Sequence, residues 1–290
     1  MTRDWTRAAP VLFVLIWSTG FIVARYGMPH APPFGFLAWR FLLSVLAFAA
    51  WIRLAGAVWP SGRRQWGHLA VVGVLMQAGY LGGVWAAVKA GMSAGMAALI
   101  VGLQPLLTAL WVSRGGHAAA ANARQWFGLV LGFAGLLLVV WHKLGVREAS
   151  GPTLAMAVVA LLCITTGSLY QKRWVQPVDP RTAMAVQMGA ALLVMLPLAA
   201  TETEAMRWNH ELVAAMAWSV LALSLGASSL LVMLIHRGAA TRVASLMYLV
   251  PPCTALLAWA LFGEALTAGI VIGMLVCAAG VALVVREPRR

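Results

Sequence analysis

A handful of hydrogen-bonding side chains stand inside otherwise apolar stretches of this chain. They are Gln77, Tyr80, Gln104, Thr165, Thr166, Ser168, Ser224 and Tyr248. Gln77 and Tyr80 are three residues apart, so on a helix they share one face, which Val84 continues. Polar groups at membrane depth are costly, so they face a cavity or a neighbouring helix. Their chemistry is recognition of a small solute; the alternative, commoner for serine and threonine, is glue between helices. The chain also has 14 tryptophans. Trp5, Trp51, Trp59, Trp66, Trp126, Trp141, Trp174 and Trp208 fall near the ends of apolar runs and read as interfacial anchors, while Trp17, Trp85, Trp111, Trp218 and Trp259 lie deeper. A deep indole could stack on an aromatic or cationic solute, or pack against lipid and protein.

Arg40 is the only cation well inside an apolar run. It could bind a substrate carboxylate, but a tie between two helices is the preferred reading. Glu264 stands at the end of a run and reads as a loop cap or packing group.

Several chemistries find no residues to perform them. No Asp or Glu falls mid-run, where proton- or sodium-driven carriers place carboxylates. There is no glycine-rich phosphate loop followed by Lys-Ser/Thr, so direct ATP coupling is not expected. The histidines, at 30, 68, 117, 142, 210 and 236, lack paired ligand spacing. Cys163, Cys253 and Cys277 all lie within apolar runs and read as small packing residues. Enzyme activity, a metal site and a cofactor are therefore not expected.

The elements that must position these residues are membrane spans. The sequence is 62% hydrophobic and 10% charged, against about 45–50% and about 25% in an ordinary soluble domain. The apolar residues come in runs near the ~20 residues that cross a hydrocarbon core of about 30 Å. Ten spans are predicted: 10–28, 34–53, 66–88, 94–113, 126–142, 152–171, 182–200, 212–235, 242–262 and 266–285. The fold class is an all-α polytopic membrane protein. The alternation of a β-barrel is missing. The first run continues to Arg25 with no small-residue cleavage pattern after it, so it reads as a span rather than a cleaved signal. The connections leave no room for a soluble domain, which argues against a nucleic-acid partner despite a net charge of +13. With a cytoplasmic N-terminus, 15 Lys and Arg fall on the cytoplasmic side and five on the other, as the positive-inside rule requires.

The spans repeat. At an offset of 147, Gly20 falls on Gly167, Arg40 on Gln187, Gly91 on Gly238, Ala97 on Ala244 and Pro105 on Pro252. After a two-residue shift, 128–140 falls on 273–285. Five spans per half is an odd number, so the second half runs in inverted topology. The halves are expected at 1–145 and 146–290. Gly91 and Gly238 read as loose joints, and Pro105 and Pro252 as kinks or hinges, because proline removes a backbone hydrogen bond.

The segment RGAATRVASLMYLVPPCTALLAWALFGEALT, 237–267, carries the most specific pattern: a small-residue-rich helix, a mid-helix proline and the pair Gly263-Glu264. It resembles EamA-type exporters of the drug/metabolite transporter superfamily, as do WSTGFIVARYG (17–27) and Arg40-Phe41. Within that superfamily, the chain looks most like bacterial aromatic amino-acid exporters. It departs from the pattern at Gly116-His117, where the first half has no glutamate. The resemblance implies two inverted five-helix repeats around a central cavity lined by spans 1, 3, 4, 6, 8 and 9, with 5 and 10 peripheral. Trp17 then becomes the leading aromatic candidate, and span 2, with Arg40, stays outside the cavity.

The expected function is export of small amphipathic metabolites across a bacterial inner membrane, with amino acids, aromatic ones first, as cargo. Alternating access, facilitative or by exchange, is the expected mechanism. The substrate set is Trp17, Gln77, Tyr80, Gln104, Thr165, Ser168, Ser224 and Tyr248. The expected partners are a small-molecule substrate and the lipid bilayer, and the chain is expected to be a monomer. Rivals are a proton-coupled drug/metabolite exporter of broad specificity and a non-transporting membrane scaffold or sensor.

Overall fold

The computed structural model describes residues 2–104, 106–108, 111, 123–143, 149–227, 230 and 250–285. They form ten helices: α1 (Thr2–Gly27), α2 (Pro33–Ala55), α3 (Arg63–Lys89), α4 (Ala94–Val101), α5 (Ala123–Lys143), α6 (Gly151–Trp174), α7 (Pro180–Ala200), α8 (His210–Ala227), α9 (Val250–Phe262) and α10 (Ala268–Val285). Five of them, α2, α3, α6, α7 and α8, have 18 residues or more and are apolar enough to cross a membrane; α1, α5, α9 and α10 contain apolar helical stretches of 10–17 residues, and α4 is eight residues long.

Local sequence sets the helix ends. Ser150 and Asn209 cap α6 and α8 by accepting from Thr153 N at 3.4 Å and Leu212 N at 2.8 Å. Pro33 and Pro180 open α2 and α7, where the missing N–H costs nothing. Gly56 closes α2 at φ 60, a conformation only glycine adopts without strain. The α1 helix begins at Thr2, earlier than the expected 10. The α4 helix stops at Val101, and Gly102 and Leu103 form a turn before helix resumes at Gln104. This break lies just ahead of Pro105.

Packing follows the repeat. Each helix of the first half meets either its own mate or the mate of its neighbour: α2 packs on α7, α4 on α9 and α5 on α10, while α3 packs on α6 and α8 on α1. The α5–α10 contact shows the symmetry at atomic scale. A Cβ on Gly135 would strike Gly273 O and Cys277 N, and one on Gly280 would strike Gly128 O and Gly132 N. These are the same contacts read from opposite halves. Such close backbone approach through small residues is how membrane helices pack without a hydrophobic driving force. Large apolar side chains on the outside of this pair, including Phe133, Leu137, Ile272 and Leu275, are exposed, as lipid contact requires. The protein is an all-α polytopic membrane protein of two inverted five-helix repeats around a central cavity.

Two helices carry a defect at matching places. Val74–Gly79 in α3 and Ser219–Ala227 in α8 are wound as π-helix. Adding the repeat offset of 147 to 74–79 gives 221–226, which lies within the second segment. A π segment hydrogen-bonds i to i+5 and marks functional sites more often than regular helix.

Candidate functional site

The two π segments border one cavity with about 90 Å³ of open space. Its walls come from α1, α2, α3, α6, α7 and α8. Six of the lining residues are repeat mates at the offset of 147: Trp17 with Ile164, Met76 with Leu223, and Gln77 with Ser224. The cavity therefore lies between the two halves. Tyr80, Val84 and Trp85 extend the α3 wall, Gly20 and Phe21 the α1 wall, and Met184 and Met188 the α7 wall.

The expected helical face of Gln77, Tyr80 and Val84 lies on the cavity as one strip. Trp17 is half-buried and packs on Phe13, ring centroids 5.4 Å apart. Trp85 is fully buried and stacks on Phe36 at 4.5 Å, which holds its indole rigid in the wall. Gln77 and Tyr80 have no hydrogen-bond partner in the protein among the described residues, which leaves both polar ends for a bound solute.

Arg40 corrects the sequence reading. It lines the cavity and is 6% exposed, so α2 contributes to the wall after all. Its Nε donates to Ser224 Oγ in α8 at 3.4 Å. The repeat explains the placement. Gly73 in α3 lies against the Gln187 backbone in α7, so a side chain there would strike Gln187 O. Gln187 is the mate of Arg40, and the Arg40–Ser224 contact joins the mates of α7 and α3.

Other expected site residues lie elsewhere. Gln104 Nε2 donates to Ser168 Oγ at 2.9 Å, and Ser168 donates to Ile164 O at 2.6 Å. The pair ties the end of the α4 region to α6 and lies off the cavity wall. Thr165 is buried, donates to Leu161 O at 2.6 Å within its own helix, and lies off the cavity wall. The cavity walls also exclude the described parts of α4 and α9, contrary to the arrangement the resemblance implied. Two small residues meet at the α1–α9 seam: Thr254 donates to Ser18 O at 3.2 Å, while Ser18 Oγ donates to Val14 O at 2.7 Å in its own helix and lies 3.5 Å from Val250 O. The Thr254 bond holds α9 against α1. Tyr248, Pro105 and Gly238 lie outside the described residues. Gly91 takes φ 110 between α3 and α4, and Pro252 lies within α9.

Each end of the bundle is tied across the repeats. At one end, His30 Nε2 meets Glu211 Oε2 at 2.5 Å, Lys89 Nζ meets Glu204 at 2.7 Å, and Arg207 N donates to His30 O at 2.8 Å. Glu202 accepts from Phe34 N at 3.0 Å and Gly35 N at 2.7 Å, so a loop of the second half caps α2 of the first. A recess of about 490 Å³ opens at this end beside Arg25, Lys89 and Glu211. Glu264 is at the same end, its carboxylate beside the first turn of α4 near Gly95. At the other end, Gln65 and Gln176 exchange two bonds, Gln65 Nε2 to Gln176 O at 3.0 Å and Gln176 N to Gln65 Oε1 at 3.3 Å. Thr182 Oγ1 donates to Val58 O at 3.1 Å. Among the described residues, no group of three His, Cys, Asp or Glu is placed to hold a metal.

A membrane bundle of two inverted repeats, with a cavity between them and ties at both ends, has the architecture of a transporter. The EamA-like transporter family profile matches twice, at 8–141 and at 151–286, and the chain belongs to that family. It is 28% identical over 278 residues to an "uncharacterized transporter" of Archaeoglobus fulgidus, an alignment spanning 94% of each chain. It is 25% identical over 187 residues to a "Probable amino-acid metabolite efflux pump" of Salmonella typhimurium, covering 64% of this chain and 60% of that protein. It is also 27% identical over 183 residues to the "uncharacterized inner membrane transporter YedA" of Escherichia coli K12, covering 63% of this chain and 58% of that one. A solved crystal structure superposes with a TM-score of 0.66 at 19% identity, covering 95% of each chain, a likeness of fold.

Proposed function

We propose that this transporter exports small amphipathic metabolites, amino acids first and aromatic ones foremost, across a bacterial inner membrane. The observation that carries the reading is the cavity between the repeats, with Trp17 and Trp85 for an apolar group and Gln77, Tyr80 and Ser224 for polar atoms. The efflux-pump and inner-membrane names of relatives support the cargo class and the location. The halves divide at 1–145 and 146–290, both termini are cytoplasmic, and the chain works as a monomer in the bilayer. The end with Lys89 and Glu204 then faces outward, and the Gln65–Gln176 end faces the cytoplasm.

Alternating access follows from the ties. Solute reaches the cavity from one side when the ties at that end part while those at the other end hold. The matched π segments hold Gln77 and Ser224, so the helix irregularity and the polar lining fall on the same residues, as π turns at functional sites often do. No carboxylate lines the cavity among the described residues, which supports facilitated or exchange movement without obligatory proton or sodium flow.

The direct experiment is uptake of a panel of labelled amino acids into liposomes containing the purified full-length protein. Saturable uptake of phenylalanine, tyrosine or tryptophan above protein-free liposomes is expected. Uptake of none of the panel, with a well-folded preparation, contradicts the cargo class.

A further inference from the structure

We propose that Arg40 is the docking point for a carboxylate, so that the cavity selects solutes carrying that group over their amides, esters or plain amines. The inference rests on the transport reading above and narrows its substrate class.

An arginine buried among apolar helices is costly unless something compensates its charge. Arg40 is 6% exposed, yet among the described residues its sole hydrogen bond is the long one from Nε to the neutral Ser224 hydroxyl. None of the described carboxylates lies within 4.0 Å of it. A helix tie would engage the guanidinium with carbonyls or an acid, and among the described residues the two terminal Nη groups have no such partner. Those groups present two parallel N–H donors, the fork that matches a carboxylate bidentately.

The surroundings match the rest of such a solute. Ser224, Gln77 and Tyr80 offer hydroxyl and amide groups within the same cavity. Trp17 and Trp85 offer apolar, aromatic wall for a side chain. Among the described residues Arg40 is the one charged group of the lining, so the site attracts an anionic group and repels a lone cation. The bound solute would supply the counter-charge that the protein withholds. The burial of Arg40 without a counter-charge among the described residues then has one cause: the guanidinium is paired by the solute it binds.

The test varies the ligand and the residue separately. Phenylalanine, 3-phenylpropionate, phenylalaninamide and phenethylamine share a ring; the first two keep the carboxylate, the third masks it as an amide and the fourth lacks it. Each is tested as a competitor of labelled phenylalanine in liposomes containing the full-length protein, and for its effect on the thermal unfolding of the purified protein. Phenylalanine and 3-phenylpropionate are expected to compete and to stabilise, with the amide and amine at least about tenfold weaker, as befits a lost charge-assisted hydrogen bond. Arg40→Gln should remove the preference for the acids, and Arg40→Lys should retain part of it. Equal competition or stabilisation by acid and amide, stabilisation by neither, or wild-type phenylalanine affinity in Arg40→Gln overturns the proposal. The unfolding arm needs no flux and no variant. Acid-selective stabilisation without any uptake would therefore uphold Arg40 while overturning the transport cargo, and unselective uptake would do the reverse.

Discussion

Arg40 of the first repeat reaches Ser224 of the second, Nε to Oγ at 3.4 Å, across the cavity that lies between the halves. Ser224 is the repeat mate of Gln77, which lines the same cavity from α3. The contact thus joins a charged group on a regular helix to a hydroxyl on a π segment. Any motion of one half against the other must lengthen, break or re-aim it.

Removing aromatic wall should weaken solute binding. Trp17→Ala or Tyr80→Ala is expected to raise the half-saturating phenylalanine concentration about 3- to 10-fold, the worth of a lost aromatic contact. Expression and unfolding temperature should change much less. Normal transport by both variants would show that solute binds elsewhere.

The Lys89–Glu204 tie should be a gate. Lys89→Cys with Glu204→Cys, in a background lacking Cys163, Cys253 and Cys277, replaces the 2.7 Å ion pair with two thiols. Bridging the two thiols with a bifunctional methanethiosulfonate reagent about as long as the lost Lys–Glu pair is expected to stop transport, and reduction to restore it. Transport by the cross-linked protein would mean that this end never opens.

The α5–α10 seam should govern stability rather than cargo. Gly280→Val would place side-chain atoms onto the backbone at Gly128 and Gly132, and overpacking of that kind costs about 1–3 kcal/mol. A lowered unfolding temperature is expected, with the acid-over-amide preference unchanged in the folded fraction. An altered preference would tie the seam to the cavity.

A pH effect is expected at the start of α7. Hydrogen bonding to Arg181, with Nη2 to Oδ2 at 2.7 Å, holds the Asp179 carboxyl below its ordinary value. The folded value is lower than the unfolded one, so this contribution is present at neutral pH and is lost as pH falls through the folded value. Asp179→Asn should therefore lower the unfolding temperature slightly at pH 7. The gap from wild type should close as pH drops below the ordinary aspartate value of about 4. A gap that persists in acid would assign the effect to packing.

Much of this site is legible from spacing alone. Gln77, Tyr80 and Val84 fall on one helical face, and the offset that pairs Gly20 with Gly167 also pairs Gln77 with Ser224. Arg40 is harder to read, because a membrane arginine is equally at home with a partner acid. Only three-dimensional distance shows that no acid pairs with it among the described residues. Its pairing with Gln187 in the repeat was the available hint. Gln104, Ser168 and Thr165 look like cavity residues by polarity, yet they satisfy one another or their own helix, and composition cannot distinguish an inward hydroxyl from a tying one. The π segments are invisible in sequence, since i to i+5 bonding has no residue preference strong enough to mark it.

The most direct test of the central claim is counterflow. Liposomes containing the purified protein are preloaded with unlabelled phenylalanine and diluted into trace labelled phenylalanine, with no pH or sodium gradient. Transient accumulation of label, suppressed by external 3-phenylpropionate, is the predicted result. Absence of counterflow until a proton gradient is imposed, with the driven uptake lost in Glu264→Gln, would contradict it.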